Sequence, residues 1–159
     1  MLNQARSRCE SLGMSAIFRW ALGVLTAAGL GIDAYTHLDL ASNYMPISSG
    51  SVNQGVLFQI EGIAAIVIGL AVLARPNALT GAMSALFAGG GAAVLLIYRY
   101  VEVGKIGPIP DMSEPIWFTE KQWSLAGELV AFAAGVGLVA VVLVTRRPAS
   151  TSAPASASA

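Results

Sequence analysis

Residues 56–98 read VLFQIEGIAAIVIGLAVLA, then RPN, then ALTGAMSALFAGGGAAVLLIY. A hydrocarbon core about 30 Å thick is crossed by roughly 20 helical residues, and each apolar run has that length. The first run contains one charge, Glu61, and the second contains none. Arg75-Pro76-Asn77 leaves no room between them for anything but a tight turn. The stretch therefore reads as two membrane-crossing helices folded into a hairpin, and the rest of the chain must be compatible with that.

Outward from this hairpin lie two more runs of the same kind. One covers about residues 16–35, with Arg19 and Asp33 near enough to its ends to snorkel. The other covers about 124–145 and contains Glu128. With the central spans at 56–74 and 78–98, the 159 residues are nearly used up, and residues 1–147 read as a single four-span membrane domain. The expected fold is all-α: an integral membrane, antiparallel four-helix bundle, because only helices and closed barrels satisfy their backbone in lipid.

Composition agrees and excludes other classes. The chain is 55% apolar and 11% charged, with nine basic and nine acidic side chains. Soluble domains carry roughly 25% charged residues, so a water-soluble enzyme is excluded. The same apolar excess excludes disorder for most of the chain. No basic cluster exists to neutralise phosphates, so nucleic acid is not an expected partner. Cys9 is the single cysteine and His37 the single histidine. That rules out an internal disulfide, a CxxC pair and a bis-histidine haem within one chain.

Orientation follows from the positive-inside rule. Arg6, Arg8 and Arg19 precede or enter the first span, Arg75 lies in the short turn, and Arg146 and Arg147 follow the last span. The connection from about Thr36 to Gln54 holds no Lys or Arg. Both termini are therefore expected in the cytoplasm, with two long extracytoplasmic loops. The first run lacks a small-residue cleavage site after it and reads as a span rather than a signal peptide. Leu2, Ala5, Cys9 and Leu12 recur at helical spacing, which predicts a short amphipathic surface helix over residues 1–13. Residues 148–159 are Pro, Ala, Ser and Thr only and predict a disordered cytoplasmic tail.

Small residues recur every four positions on three spans: Gly23, Ala27 and Gly31; Gly81, Ala85 and Gly89; Gly127, Ala131 and Gly135. The second span offers Gly62, Ala65 and Gly69. Such stripes let helix backbones approach closely, gaining contacts that lipid does not supply. They are the expected packing faces, within the chain or between copies.

Ionisable residues gather at the other face of the membrane. Glu61 lies about 9 Å into its span and Glu128 about 6 Å, at 1.5 Å per residue. Asp33 and His37 are an i, i+4 pair on one helix face. Arg99 and Glu102 end the third span, and Lys121, Ser124 and Glu128 share a face of the fourth. A carboxylate in hydrocarbon costs several kcal/mol unless paired, hydrated or protonated. Three arrangements meet that requirement. The carboxylates pair with Arg99 and Lys121; or they exchange protons; or Asp33, His37, Glu61 and Glu128 hold a metal, for which carboxylates and one imidazole suit iron, manganese or zinc. No cofactor is required by the sequence, and a carboxylate-bound metal is compatible with it.

Ile60-Glu61-Gly62 through Gly69-Leu70 to Arg75-Pro76, with the Ala- and Gly-rich span after it, resembles the small four-helix membrane proteins of the DoxX-like kind. Asp33-Ala34-Tyr35-Thr36-His37-Leu38, Phe58-Gln59-Ile60-Glu61, Gly107-Pro108-Ile109-Pro110-Asp111 and Glu114-Pro115-Ile116-Trp117 are similar to uncharacterised actinobacterial integral membrane proteins. The second resemblance implies the membrane fold and no activity. The first implies a link to redox or quinone-associated complexes. The expected role is that of a small non-enzymatic protein of the plasma membrane acting through an acidic extracytoplasmic face. It would serve a membrane-protein partner as an accessory or interaction subunit, or form a homo-oligomer. The alternative is a redox, metal-binding or proton-coupled membrane protein centred on His37, Glu61 and Glu128.

Overall fold

The computed structural model describes residues 2–46 and 51–146; the tail expected over 148–159 lies outside them. Four helices make up the fold: α1 (Leu2–Tyr44), α2 (Gln54–Ala74), α3 (Ala78–Tyr100) and α4 (Thr119–Arg146). Each contains a stretch long and apolar enough to cross a membrane, Gly13–Tyr44 in the case of α1. Among the described residues there is no strand, only an isolated bridge between Ile106 and Ile109.

The distribution of side chains is that of a multi-pass membrane protein. Leu86, Ile17 and Leu79 are 79%, 70% and 68% exposed, whereas Thr26, Asp33 and Ser84 are fully buried. In water such a surface would aggregate; against lipid tails it costs nothing. The core between the helices is narrow and built from Leu30, Ala34, Ala65, Ala88 and Ala131 at one level and Val72, Leu138 and Val142 at another. Buried hydroxyls satisfy themselves locally. Thr26 donates to the Leu22 carbonyl at 2.8 Å and Ser84 to that of Thr80 at 2.8 Å, the usual solution for a hydroxyl within a helix.

Glycines fix which helices touch. Gly23 meets Val72 and Pro76, Gly69 meets Ala27 and Leu30, Gly62 meets Ala34 and Leu38, and Gly55 meets Ala41 and Met45. These contacts zip α1 onto α2. On its other side α1 meets α4 through glycine against glycine: a methyl group at Gly29 would stand 2.5 Å from the Gly127 carbonyl oxygen, and one at Gly127 would stand 2.7 Å from that of Gly29. Gly81 and Gly135 do the same for α3 and α4, at 2.9 and 2.8 Å. Backbones this close accept no side chain.

The structure corrects the sequence reading at several points. Ala74 does end one span and Ala78 does begin the next, and the turn between them is Arg75-Pro76-Asn77. Asn77 caps α3 by accepting from the Leu79 and Thr80 amides, while Thr80 Oγ accepts from the Asn77 amide. Such a reciprocal cap fixes the turn locally. Yet α2 and α3 pack against one another only sparingly; α3 leans on α4 instead, and α1 lies between α2 and α4. A short connection constrains the ends of two helices and not their lengths.

The first span does not stop near Tyr35. α1 continues to Tyr44 and ends just ahead of Pro46, whose predecessor is biased away from helix. The connection expected over Thr36–Gln54 therefore shrinks to residues 45–53. At the opposite end, residues 2–13 continue α1 without a break instead of forming a separate surface helix. Gly31 faces open space, and the glycine that meets α4 is Gly29, which no stripe included. Gly89 lies against the Phe132 ring rather than a backbone.

Candidate functional site

The long connection, 101–118, folds back over one end of the bundle. Gly104 and Gly107 hold φ of +67° and +56°, values that L side chains rarely adopt, and let the chain reverse. Ile106 and Ile109 exchange backbone hydrogen bonds across the second reversal, and Val52 donates to the Pro108 carbonyl. Within this loop the Ser113 amide donates to Asp111 and holds its carboxyl below the usual carboxylate range. Glu114 anchors the segment to three helices. It accepts from the Tyr44 hydroxyl at 2.7 Å, pairs with Lys121 at 2.9 Å, and its amide donates to the Tyr98 carbonyl at 3.3 Å.

Beneath that strap lies a cavity of about 290 Å³. α1 contributes Thr36, His37 and Leu40; α2 contributes Leu57, Phe58 and Glu61; α3 contributes Phe87, Gly91, Val94 and Tyr98; α4 contributes Lys121, Ser124 and Glu128. The cavity exists because α2 and α3 stand apart there.

Glu61 and Glu128 on its wall converge with the buried Asp33 behind it, three carboxylates from three helices. One oxygen each from Asp33, Glu61 and Glu128 lie within 4.8 Å of one another. Asp33 and Glu128 are buried, and Glu61 is half-buried. Asp33 Oδ1 accepts from the Ser124 hydroxyl at 2.8 Å and lies 2.9 Å from His37 Nδ1. The Asp33 carbonyl oxygen is 3.1 Å from the same nitrogen. Both neighbours of Nδ1 are acceptors, so Nδ1 carries a proton. In the neutral ring that leaves the Nε2 lone pair available. The imidazole is steadied further by Phe58, edge-on at 5.2 Å.

Two oxygens at this junction, Asp33 Oδ2 and Glu128 Oε2, are buried without a hydrogen-bond partner. The triple glycine of α3 explains how Glu128 is accommodated: a Cβ at Gly91 would overlap Glu128 Oε1 and stand 3.3 Å from Glu61 Oε1. α3 therefore remains helical through Gly89-Gly90-Gly91 and uses the missing side chain as a slot.

The basic residues expected to pair with these carboxylates are elsewhere. Lys121 lines the cavity but is committed to Glu114 and sits 5.1 Å over the Phe118 ring. Arg99 lies over Tyr100 and Trp117, at 4.9 and 5.6 Å. Glu102 is exposed beyond the end of α3. Among the described residues, no Lys or Arg forms an ion pair with Glu61 or Glu128. Of the polar group expected at this end, the structure brings together Asp33, His37, Glu61 and Glu128, places Lys121 at the rim, and separates Arg99 and Glu102. Glu114, Tyr44 and Gly91 were not among the expected site residues, although Glu114 begins the Glu114-Pro115-Ile116-Trp117 segment and Gly91 closes the triple glycine of the third span. Each acts through a residue far away in the chain, and no spacing pattern announces that.

Comparison with protein-family models, curated proteins and solved structures finds no match to this chain.

Proposed function

We propose that the chain is a cation-binding integral membrane protein, with Asp33, Glu61 and Glu128 as the binding groups and His37 beside them. One observation carries the reading: three carboxylates meet at a junction with two buried, unpartnered oxygens and, among the described residues, no Lys or Arg paired with them. Were all three ionised, like charges at that spacing would repel by roughly 3–4 kcal/mol per pair at an effective dielectric of 20, a cost that a proton also relieves. A bound cation removes the repulsion and supplies the missing partners. Three carboxylates, with the His37 imidazole held beside Asp33, suit a divalent ion such as Mn²⁺ or Zn²⁺. The reading assigns no reaction to the site.

The bundle is taken to be antiparallel. The successive contacts of α1 with α2 run upward in one helix and downward in the other, from Gly23 with Val72 to Ala41 with Gly55. Both termini are assigned to the cytoplasm and the cavity to the outer side of the plasma membrane. On that topology six bases and one acid lie inside, against three bases and eight acids outside. The outer acidity favours a second reading, in which this face docks a membrane-protein partner or a second copy, as an accessory subunit would.

Thermal unfolding of the purified protein, titrated with Mn²⁺, Zn²⁺ and methylammonium, tests the cation site. Stabilisation by at least one of them, lost in Glu128→Gln, is expected. Absence of any shift in the wild-type protein removes the reading.

A further inference from the structure

A metal ion accounts for the carboxylates and leaves most of the cavity unexplained. Its walls are mainly apolar and aromatic, with Phe58, Phe87, Val94 and Leu95 beside Glu61 and Glu128, and the lining also includes Glu114, Glu120 and the Lys121 that pairs with Glu114. α2 and α3 both contribute to its lining and scarcely pack against one another. Val94 and Gly90 on its α3 side are exposed to the surroundings of the bundle, and Glu61 on the α2 side is half-buried. A ligand arriving from the membrane plane between α2 and α3 would thus meet Val94 and Gly90 on one side and Glu61 on the other.

Resting on the cation-site reading, we infer that the occupant of this cavity is an organic ammonium ion with an apolar body. Its head is held by Glu61 and Glu128, its body lies against Phe58, Phe87 and Val94, and it enters sideways between α2 and α3. Charge complementarity selects the head, since among the described residues no Lys or Arg pairs with Glu61 or Glu128 and the one lysine in the lining, Lys121, is paired with Glu114. The ammonium group has three donors, enough to satisfy both Glu128 Oε2, which has no partner, and Glu61. Aromatic walls add attraction for a cation close to their faces. The volume limits the body to a small one, because about 290 Å³ lies at the lower end of small-molecule pockets.

The test is a series of n-alkylammonium ions from methyl to pentyl, with butan-1-ol as the uncharged control and Mn²⁺ as the inorganic one. Binding is measured on the full chain in lipid nanodiscs by thermal shift and by competition with Mn²⁺. Affinity is expected to rise about two- to fourfold per methylene and then level off, with no response to the alcohol. Gly90→Leu projects a side chain from a position whose Cβ meets nothing within 4 Å and also improves helix propensity, so it keeps the fold. It is expected to weaken butylammonium at least tenfold while sparing methylammonium or Mn²⁺. Val94→Trp gives a second, independent obstruction. Affinity independent of chain length, or unchanged in both variants, overturns the inference while leaving a cation site in place. If neither the ammonium ions nor Mn²⁺ bind, both readings fall together.

Discussion

Glu128 and Gly91 share one volume: the carboxylate of the first occupies the place where the second would carry a Cβ. Gly91→Ala must therefore displace Glu128 from the junction while leaving α3 helical. The expected result is a folded protein whose stability no longer responds to Mn²⁺, Zn²⁺ or methylammonium. An undiminished response in Gly91→Ala would show that the cation does not depend on this carboxylate.

Glu128→Gln keeps the shape and deletes the charge. Without added cation it should stabilise the protein by on the order of 1–3 kcal/mol, since mutual repulsion in a poorly solvated place is relieved. The wild-type protein should gain about 2.7 kcal/mol at a hundredfold excess of cation over its Kd, and the variant close to none. Chemical or thermal unfolding with and without cation measures both changes. A variant less stable than the wild type under cation-free conditions would contradict the proposed repulsion.

Gly29 and Gly31 differ by two positions and should behave in opposite ways. Gly29→Ala drives a methyl into the Gly127 carbonyl and the Ala131 backbone, an overpacking worth about 1–3 kcal/mol of lost stability. Gly31→Ala meets nothing within 4 Å and should be neutral or gain up to about 1 kcal/mol from helix propensity. Comparing the two unfolding midpoints decides the matter. Equal losses would place the α1–α4 contact elsewhere.

Tyr44→Phe removes one hydrogen bond to Glu114, at a cost of about 0.5–1.5 kcal/mol. The change should be seen as faster amide exchange between residues 108 and 118, with the spans unaffected. Uniform protection across that loop would mean that Lys121 alone is sufficient to hold Glu114.

Sidedness is open to direct labelling. In intact cells a membrane-impermeant maleimide should modify Lys105→Cys in a Cys9→Ser background and should leave Cys9 of the wild-type chain untouched. The reverse pattern would invert the proposed topology.

The spans were legible in the sequence because lipid imposes one strong requirement, an apolar run of sufficient length, and 56–74, 78–98 and 124–145 meet it openly. The end of α1 was not legible in the same way. Hydropathy falls at Asp39, Ser42 and Asn43, while the helix itself continues, because Thr36 and His37 bond back to the Asp33 carbonyl and nothing breaks the ladder before Pro46. Helix partners were hidden for a different reason. Gly and Ala fall on several faces of each span, so spacing alone could not tell Gly31 from Gly29. The gathering of Asp33, His37, Glu61 and Glu128 at one end was readable from their positions along the spans. Their lack of basic partners was not, because Lys121 is taken by Glu114 from a loop without periodicity.

Among the described helices, α3 packs extensively against α4 alone, which follows it in the chain. During synthesis it must therefore wait. α1 and α2 can close on each other as soon as both have emerged, but α3 enters the bilayer with Gly81, Ser84 and Ala85 still uncovered, and these are buried in the finished molecule. Gly135 and Leu138, which will cover Gly81, are made more than fifty residues after it. Completion of the bundle, and with it the enclosure of the cavity, is thus reserved for the final helix, so a chain released early ends with an unfinished membrane surface and no site.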